Sequence, residues 1–170
     1  MSHVNPKSVE VRALATRSLA HIHHVGPFAG DVELFGRLFG AVMAWARPQG
    51  LVKTAQTELI TIYHDDSRIT EAEHLRISVG LTVPPATRVS GDIRLLEIPA
   101  GDYICATFEI DPGQYGAAWN TVRDELLPQH KLRLGDGPCY ECYLNDALLH
   151  PLHKHVIEIR MSVKPLAEEV

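Results

Sequence analysis

The sequence predicts an α+β fold made by tandem duplication of a β-β-α-β-β unit, with two antiparallel sheets and one main helix on each. Three observations predict it. The tyrosine and acids of "ITIYHDD" recur in "YECYLND" as Tyr143, Asn145 and Asp146, and we call the spacing from Tyr63 to Tyr143 the repeat offset. Apolar residues alternate over residues 77–83 and again, at this offset, over 157–163, as is typical of half-buried strands. Residues 35–42 and 115–122 share apolar residues at helical spacing.

The first copy covers about residues 8–84 and begins with two predicted strands, at 9–14 and 17–25, which we expect to pair as a hairpin. Gly26 and Pro27 end this hairpin, since both residues favour turns. A helix is predicted from about Asp31, a suitable N-cap, to about Arg47, because apolar residues recur there at i, i+3, i+4 and i+7. Residues 59–63 and 75–83 form a second predicted hairpin.

The second copy, about residues 93–164, repeats this order. Its predicted strands are 93–98 and 103–110, again as a hairpin around the turn "PAGD", followed by a helix from about 114 to 127 that ends at Pro128. Residues 138–144 and 155–163 are the last two strands. The first strands match at a slightly longer offset, the spacing from Leu19 to Tyr103, which a change in loop length explains. Residues 85–92 are a linker by their Pro, Ser and Gly content.

Length and composition describe one domain over residues 1–170, with 45% hydrophobic and 22% charged residues. The formal charge of -5 argues against direct contact with nucleic acid, which usually shows as a basic face. No apolar run reaches the roughly 20 residues of a membrane span. Residues 1–5 are polar and lack the apolar core of a signal peptide. We therefore expect a cytoplasmic protein without a membrane partner, either monomeric or dimeric.

Strand alternation assigns the residues of each strand to a face that the helix covers and a face that it leaves open. In residues 103–110 the apolar alternate set should lie under the helix. In the strand that follows the second helix, we assign Tyr140 and Cys142 to one face and Glu141 to the open face, where its counterpart in the first copy is Thr61. The residues expected on the open faces, and therefore around a ligand, are Glu141, Tyr103, Tyr143, Tyr63, His21 and His23.

Glu141 is the residue on which the site prediction depends. A carboxylate in mid-strand is costly to bury unless a ligand, water or another group satisfies it. Aromatic rings near such an acid suit a cationic or hydrogen-bond-donating ligand. The alternative is an exposed glutamate on an edge strand, since acids are mostly solvent-exposed. The tyrosines and Trp119 could equally be ordinary core aromatics, and for Trp119 we favour that interpretation.

Histidine clusters raise the hypothesis of a metal site. One cluster comprises His21, His23 and His24, and the other lies at residues 150–155. Neither cluster has an acid or cysteine that completes a four-ligand set at characteristic spacing, so no metal is predicted. Cys139 and Cys142 form a C-x-x-C spacing, but on a strand the two thiols would point to opposite faces, which favours a structural role. No phosphate-binding loop or nucleophile elbow is present, and no cofactor is predicted.

The residues assembled so far resemble the GyrI-like family, also described as the AraC-type effector-binding domain. The resemblance rests on "HHVGPF", "ITIYHDD", "EHLRISVGLTVP", "EIPAGDYICATFEI" and above all "GPCYECYLND", which follow in order over about residues 8–164. It implies a duplicated α+β unit whose halves form a central groove that binds hydrophobic or cationic small molecules. By the match of these motifs it assigns a prominent pocket role to Glu141 and a wall role to Tyr103.

The resemblance implies two functions. The first is a stand-alone binding protein for a drug or toxin, similar to a DNA gyrase inhibitor, with gyrase as a candidate partner. The second is a hydrolase of cyclopropanoid genotoxins that uses the same pocket, with Glu141 as acid/base or water-positioning residue and a tyrosine assisting. His21 and His23 are the candidate second groups for such chemistry. We favour binding, because a family likeness is a weak argument for a particular reaction.

Overall fold

The structure, a computed structural model, describes residues 4–53 and 55–167. Met1 to His3, at the start of the polar N-terminal segment, lie outside the described residues. Two compact units are present among the described residues: unit 1 contains residues 4–15 and 100–167, and unit 2 contains residues 16–53 and 55–99. Each unit consists of four strands and one main helix.

The order of strands and helices confirms the sequence prediction: strand, strand, helix, strand, strand, twice over. In chain order the elements are β1 (Ser8–Leu14), β2 (Arg17–Val25), α1 (Val32–Ala46), β3 (Leu59–Tyr63), β4 (Arg76–Val83), β5 (Arg94–Ile98), β6 (Gly101–Ile110), α2 (Tyr115–Asn120), α3 (Leu127–Gln129), β7 (Leu132–Tyr143) and β8 (His155–Pro165). Short 3₁₀ turns lie at Arg47–Gln49, Ala72–His74, Pro112–Gln114 and Ala147–Leu149.

Helix α1 begins and ends as its sequence predicts. The side chain of Asp31 accepts a hydrogen bond from the Leu34 backbone N–H at 3.0 Å, which caps the first turn. One face of the helix buries its apolar residues against the unit 2 sheet. After the helix, Gly50 adopts a left-handed backbone conformation (φ 69°) that a residue without Cβ reaches at little cost.

The second main helix is one continuous helical segment with a π-helical middle. Helix α2 leads into the π-helical turns Thr121–Leu126 and then into α3, so the segment extends slightly beyond the predicted 114–127. The Thr121 hydroxyl is 3.0 Å from the Ala117 carbonyl and 3.1 Å from the Val4 carbonyl. A side-chain hydroxyl that competes for backbone carbonyls in this way is a known cause of irregular helix geometry.

The predicted pairing of the first two strands of each copy is wrong. Strand β1 pairs with β6 in unit 1, and β5 pairs with β2 in unit 2. A two-residue hairpin turn needs residues that accept positive φ, such as Gly or Asn. The connections offer Ala15-Thr16 and Pro99-Ala100 instead, which do not favour that turn, and each first strand pairs with the second strand of the other copy.

The second pair of each copy forms the predicted hairpin, β3 with β4 and β7 with β8. The strand order is β1-β6-β8-β7 in unit 1 and β3-β4-β2-β5 in unit 2, and every pairing described is antiparallel. The registers also match at the offsets found in the sequence. Thr61 faces Val79 as Glu141 faces Ile159, and Leu19 faces Leu96 as Tyr103 faces Arg12.

Each unit has its own apolar core between helix and sheet. In unit 1 the core joins alternate residues of β6 and β8, such as Ile104 and Ile159, to Ala118 and Val122 of the helical segment. In unit 2, Leu38 and Val42 of α1 pack on residues of β2 and β4. Within the described parts of the chain, no helix is long and apolar enough to span a membrane.

Candidate functional site

Glu141 lies two residues before the end of β7 and is buried, with only 1% of its surface exposed. Its Oε1 accepts a hydrogen bond from the indole N–H of Trp119 at 2.9 Å. The alternative interpretation, an exposed edge-strand glutamate, is therefore wrong. The hydrogen bond from the indole thus holds a buried acidic group between strand β7 and helix α2.

Tyr115 and His155 form a second polar contact on the same side of the sheet. The Tyr115 hydroxyl lies 2.5 Å from His155 Nδ1, and the two rings meet edge to face with centroids 5.5 Å apart. Burial and the negative charge of Glu141 raise the pKa of Tyr115 above its ordinary value of 10. The phenol therefore keeps its proton at neutral pH and can act as a hydrogen-bonding group but not as a phenolate.

Both contacts come from one face of α2. Tyr115 and Trp119 are separated by one helical turn, a spacing that places two side chains one above the other on a helix. Glu141 and His155 belong to neighbouring strands, β7 and β8. Helix spacing and strand pairing thus bring together four hydrogen-bonding side chains that are distant in the sequence.

The predicted faces of β7 are wrong. Cys139, Tyr143 and Trp119 pack against the same core under the helix, and this places Glu141, which alternates in phase with Cys139 and Tyr143, on the helix side. The opposite face carries Tyr140, whose ring lies 5.9 Å from that of Tyr103. Both faces of the strand are largely buried. For this reason the more apolar set of alternating residues, which includes Tyr140 and Cys142, does not mark the face that lies under the helix.

Tyr63 is likewise on the helix side, in unit 2. Its ring lies 5.4 Å from that of Phe28 and packs near Leu34 and Ile77. The prediction that Tyr63 shares an open face with the histidines is therefore wrong. Tyr63 and Tyr143, which correspond at the repeat offset, both lie on the face of the sheet that the helix covers. The predicted face was wrong at both positions for the same reason, because both faces of each strand are largely buried.

Tyr103, His21 and His23 do lie on the faces away from the helices, as predicted, but not with Glu141. Tyr103 is buried against Tyr140 in unit 1. In unit 2, His21 is only 5% exposed, its Nδ1 has no hydrogen-bond partner among the described residues, and burial is the main cause that lowers its pKa to about 4. The His23 ring lies 5.8 Å from the His64 ring, and burial also lowers the pKa of His23.

Tyr115 and His155 are not among the site residues predicted from the sequence, and Trp119 is predicted there as an ordinary core residue. A signal was available in the repeat itself. At the repeat offset, the positions around Glu141 hold hydrogen-bonding side chains in the second copy, whereas all of their counterparts except one threonine are purely apolar. The pairs are Tyr115 and Phe35, Trp119 and Phe39, Glu141 and Thr61, and His155 and Leu75.

Metal-binding geometry is absent from residues 4–53 and 55–167, which contain no group of three or more His, Cys, Asp or Glu side chains able to hold an ion. Cys139 and Cys142 are both free thiols, as is Cys105. Cys139 packs on the helix side while Cys142 is buried elsewhere, in agreement with the alternation expected on a strand.

Comparison with protein families gives a match over residues 7–164 to the GyrI-like small molecule binding domain. Two relatives with similar sequences are DNA gyrase inhibitors. The protein from Citrobacter rodentium is 29% identical over 163 residues, which is 93% of this chain and 98% of the relative. The protein from Edwardsiella piscicida is 30% identical over 142 residues, which is 81% of this chain and 87% of the relative.

Three solved structures share the fold. The C-terminal domain of EcmrR superposes with a TM-score of 0.74 at 16% identity, over 94% of this chain and 98% of that one. A hydrolase from Listeria innocua gives a TM-score of 0.62 at 11% identity, over 94% and 93%. SAV2435 bound to tetraphenylphosphonium gives 0.61 at 14% identity, over 92% and 94%. At these identities the likeness concerns the fold alone.

Proposed function

The chain belongs to the GyrI-like small-molecule binding family, and we propose that it binds an amphipathic organic cation beside Glu141. One observation carries this proposal: the side chain of Glu141, on strand β7, is 1% exposed and accepts a hydrogen bond from the indole of Trp119. Drug and toxin cations are the ligand class that such a site suits, because they combine an apolar body with a positive charge.

The energetics of burial favour a positively charged ligand. Removing a carboxylate from water costs several kcal/mol, and a hydrogen bond from a neutral donor offsets only part of this. A cation that reaches Glu141 would gain a charge interaction in surroundings of low dielectric constant, where it is stronger than in water. The acid therefore stabilises the complex with a cation more than the complex with a neutral molecule of the same shape.

Aromatic side chains near Glu141 supply the apolar part of the site. Trp119, Tyr115 and Tyr143 all pack at the edge of the unit 1 core and are only partly buried. The faces of such rings attract cations, by about 0.5–2 kcal/mol for each well-placed ring. The bound tetraphenylphosphonium in SAV2435, a hydrophobic cation on the same fold, supports this ligand class.

Titration calorimetry with tetraphenylphosphonium tests the proposal. We expect Glu141→Gln, which keeps the side-chain shape and removes the charge, to weaken binding about tenfold or more, the equivalent of about 1.4 kcal/mol. The matched control is Glu73→Gln on an exposed turn, which should bind like the wild type. Equal affinity of all three proteins, with thermal melts that show each to be folded, would contradict a role for Glu141.

We also propose that residues 1–170 form a single domain made by duplication, with copies at 8–84 and 93–164 and a linker at 85–92. The registers, which match at both offsets, support it. Each unit takes one strand from the other copy, so neither copy by itself contains a complete unit. Expressed separately, neither segment should show a cooperative melt by circular dichroism, whereas independent folding of either would argue against this organisation.

DNA gyrase is the proposed protein partner, and its support is that the relatives are named as DNA gyrase inhibitors. A gyrase partner agrees with the cytoplasmic location expected from the sequence. Purified protein added to a gyrase supercoiling assay should reduce the yield of supercoiled plasmid in proportion to its concentration. Unchanged supercoiling at a large molar excess would remove gyrase from the proposal and leave ligand binding intact.

Hydrolysis of cyclopropanoid genotoxins is the second candidate, and its support is the Tyr115 hydroxyl on the same helix face as Trp119, the donor to Glu141. In this mechanism Glu141 positions the attacking water and accepts its proton as the ring opens, while Tyr115 assists by hydrogen bonding. Incubation with a cyclopropane-containing genotoxin followed by mass spectrometry would reveal a ring-opened, hydrated product. Absence of turnover by the wild type, with retained binding, would limit the protein to a binding role for that class.

A further inference from the structure

Glu141 and the three hydrogen-bonding side chains near it, Tyr115, Trp119 and His155, all differ from their counterparts in the first copy. Three counterparts, Phe35, Phe39 and Leu75, are purely apolar, and the fourth is a neutral threonine. The same backbone register therefore accommodates an almost apolar version of this site within the same chain. Packing alone does not require the polar side chains, and their presence together in the second copy indicates that they serve one purpose.

The two polar contacts have complementary geometry. Trp119 uses its indole N–H on Glu141 Oε1, while Tyr115 and His155 bond to each other at 2.5 Å. An indole can only donate, so on this face the groups that accept hydrogen bonds are the Glu141 carboxylate, the Tyr115 oxygen and an imidazole nitrogen. Tyr115 lies one helical turn before Trp119, the donor to Glu141, so the Tyr115 oxygen and the carboxylate lie on the same face of the helix, where one ligand group can approach both.

We infer that Tyr115 and His155 select cations that carry N–H groups, namely protonated amines, over permanently alkylated cations. This inference rests on the proposed function. An ammonium group presents several donors, and it can give one to Glu141 and another to the Tyr115 oxygen. A quaternary ammonium or phosphonium ion has the same charge and no donor. It gains the attraction of the carboxylate and the rings but makes no hydrogen bond to Tyr115.

His155 acts through Tyr115 as a positioning residue. When its Nδ1 accepts a hydrogen bond from the Tyr115 hydroxyl, the lone pairs of the Tyr115 oxygen stay available to a ligand. Without an acceptor at this position the hydroxyl can rotate, and its proton can point at the incoming ammonium group. The imidazole thereby fixes Tyr115 as an acceptor, which is the orientation that a donor-rich ligand needs.

A matched pair of ligands tests the inference: 4-phenylbenzylamine at neutral pH and its N,N,N-trimethylammonium derivative. Both carry one positive charge on the same biphenyl body. We expect the wild type to bind the amine roughly tenfold more tightly, as one hydrogen bond to a charged group provides. Tyr115→Phe, which installs the residue of the first copy and keeps the ring, should reduce this ratio to about one, mainly by weakening the binding of the amine.

Two further variants separate positioning from packing. His155→Leu, again the residue of the first copy, should lose most of the preference for the amine. His155→Asn should keep it, because the side-chain amide oxygen lies near the place of Nδ1 and can accept the hydrogen bond of the Tyr115 hydroxyl. If both variants lose the preference equally, His155 has no positioning role and that part of the inference is overturned.

The remaining outcomes distinguish this inference from the proposed function. Equal affinity of the wild type for both ligands, or an unchanged ratio in Tyr115→Phe, would overturn the selection of amines and leave cation binding standing. Glu141→Gln should weaken both ligands, since both are cations. Failure of the wild type to bind either ligand or tetraphenylphosphonium would overturn cation binding, and amine selection with it.

Discussion

Trp119 donates its indole N–H to Glu141 at 2.9 Å, and this bond joins helix α2 to strand β7 at the position where an acid replaces the threonine of the first copy. The bond explains how a carboxylate can be buried on the helix side of unit 1. It also makes Trp119 part of the proposed site, although its place in an apolar helical stripe is that of a core residue.

The Trp119–Glu141 bond should be visible as coupling in a double-mutant cycle. Trp119→Phe removes the donor from a buried carboxylate, and we expect a loss of about 1–3 kcal/mol in the free energy of unfolding, measured with urea. In a protein that already carries Glu141→Thr, Trp119→Phe should lower the free energy of unfolding by about 1 kcal/mol less than it does in the wild type, because no buried carboxylate loses its donor. Phe and Thr occupy the equivalent positions of the first copy, and additive effects would show that the bond contributes nothing.

Stability should fall as the pH is lowered from about 6.5 to about 4 because of His21. Burial lowers the pKa of this side chain from 6.5 to about 4 in the folded protein. Within this range the unfolded chain takes up a proton that folded His21 does not, so protonation favours unfolding. The stability that neutral His21 contributes is fully present above pH 6.5. Its loss by about pH 4 lowers the free energy of unfolding by about 3 kcal/mol.

Urea midpoints measured between pH 4 and pH 8 would check the role of His21. In His21→Leu the decline should be shallower than in the wild type by about that amount. His130→Gln, which changes an exposed histidine, should follow the wild-type curve. Identical pH dependence in His21→Leu and the wild type would mean that other groups cause the decline.

Gly80 should not tolerate a side chain. It lies in β4 between β2 and β3, and a Cβ at this position would come within 2.0 Å of the Ala20 carbonyl oxygen. We expect Gly80→Ala to lower the free energy of unfolding by about 1–3 kcal/mol or more, which is the usual cost of overpacking. Gly40→Ala in α1, where a Cβ would meet no described atom within 4 Å, should instead add about 0.5–1 kcal/mol.

Glu158 should be essential to a partly buried ionic cluster in unit 1. Its carboxylate contacts Arg12 and lies 2.7 Å from Nε of Arg160, which is almost fully buried. Glu158→Gln leaves the Arg160 charge without its carboxylate, and we expect a loss of about 3–5 kcal/mol in unfolding free energy. Glu97→Gln on exposed β5 is the control, and a similar small effect of both substitutions would contradict the prediction.

The sequence by itself determined the order of the elements, the cap of α1, the family and the offsets at which the strands correspond. These features depend on local spacing or on similarity between segments, and both can be read along a chain. The strand registers support this conclusion. Thr61 pairs with Val79 and Glu141 pairs with Ile159, so both partners of the first pair correspond to those of the second at the repeat offset.

Only the tertiary structure decided which strands pair and which face of β7 meets the helix. The pairing of β1 with β6 is a contact between segments far apart in the chain, and nothing local to Ala15-Thr16 specifies it. In β7 both alternate sets are largely buried, so hydrophobicity does not tell one face from the other. The Trp119–Glu141 and Tyr115–His155 contacts follow from that choice of face, because a side chain finds its partner only after helix and sheet have packed.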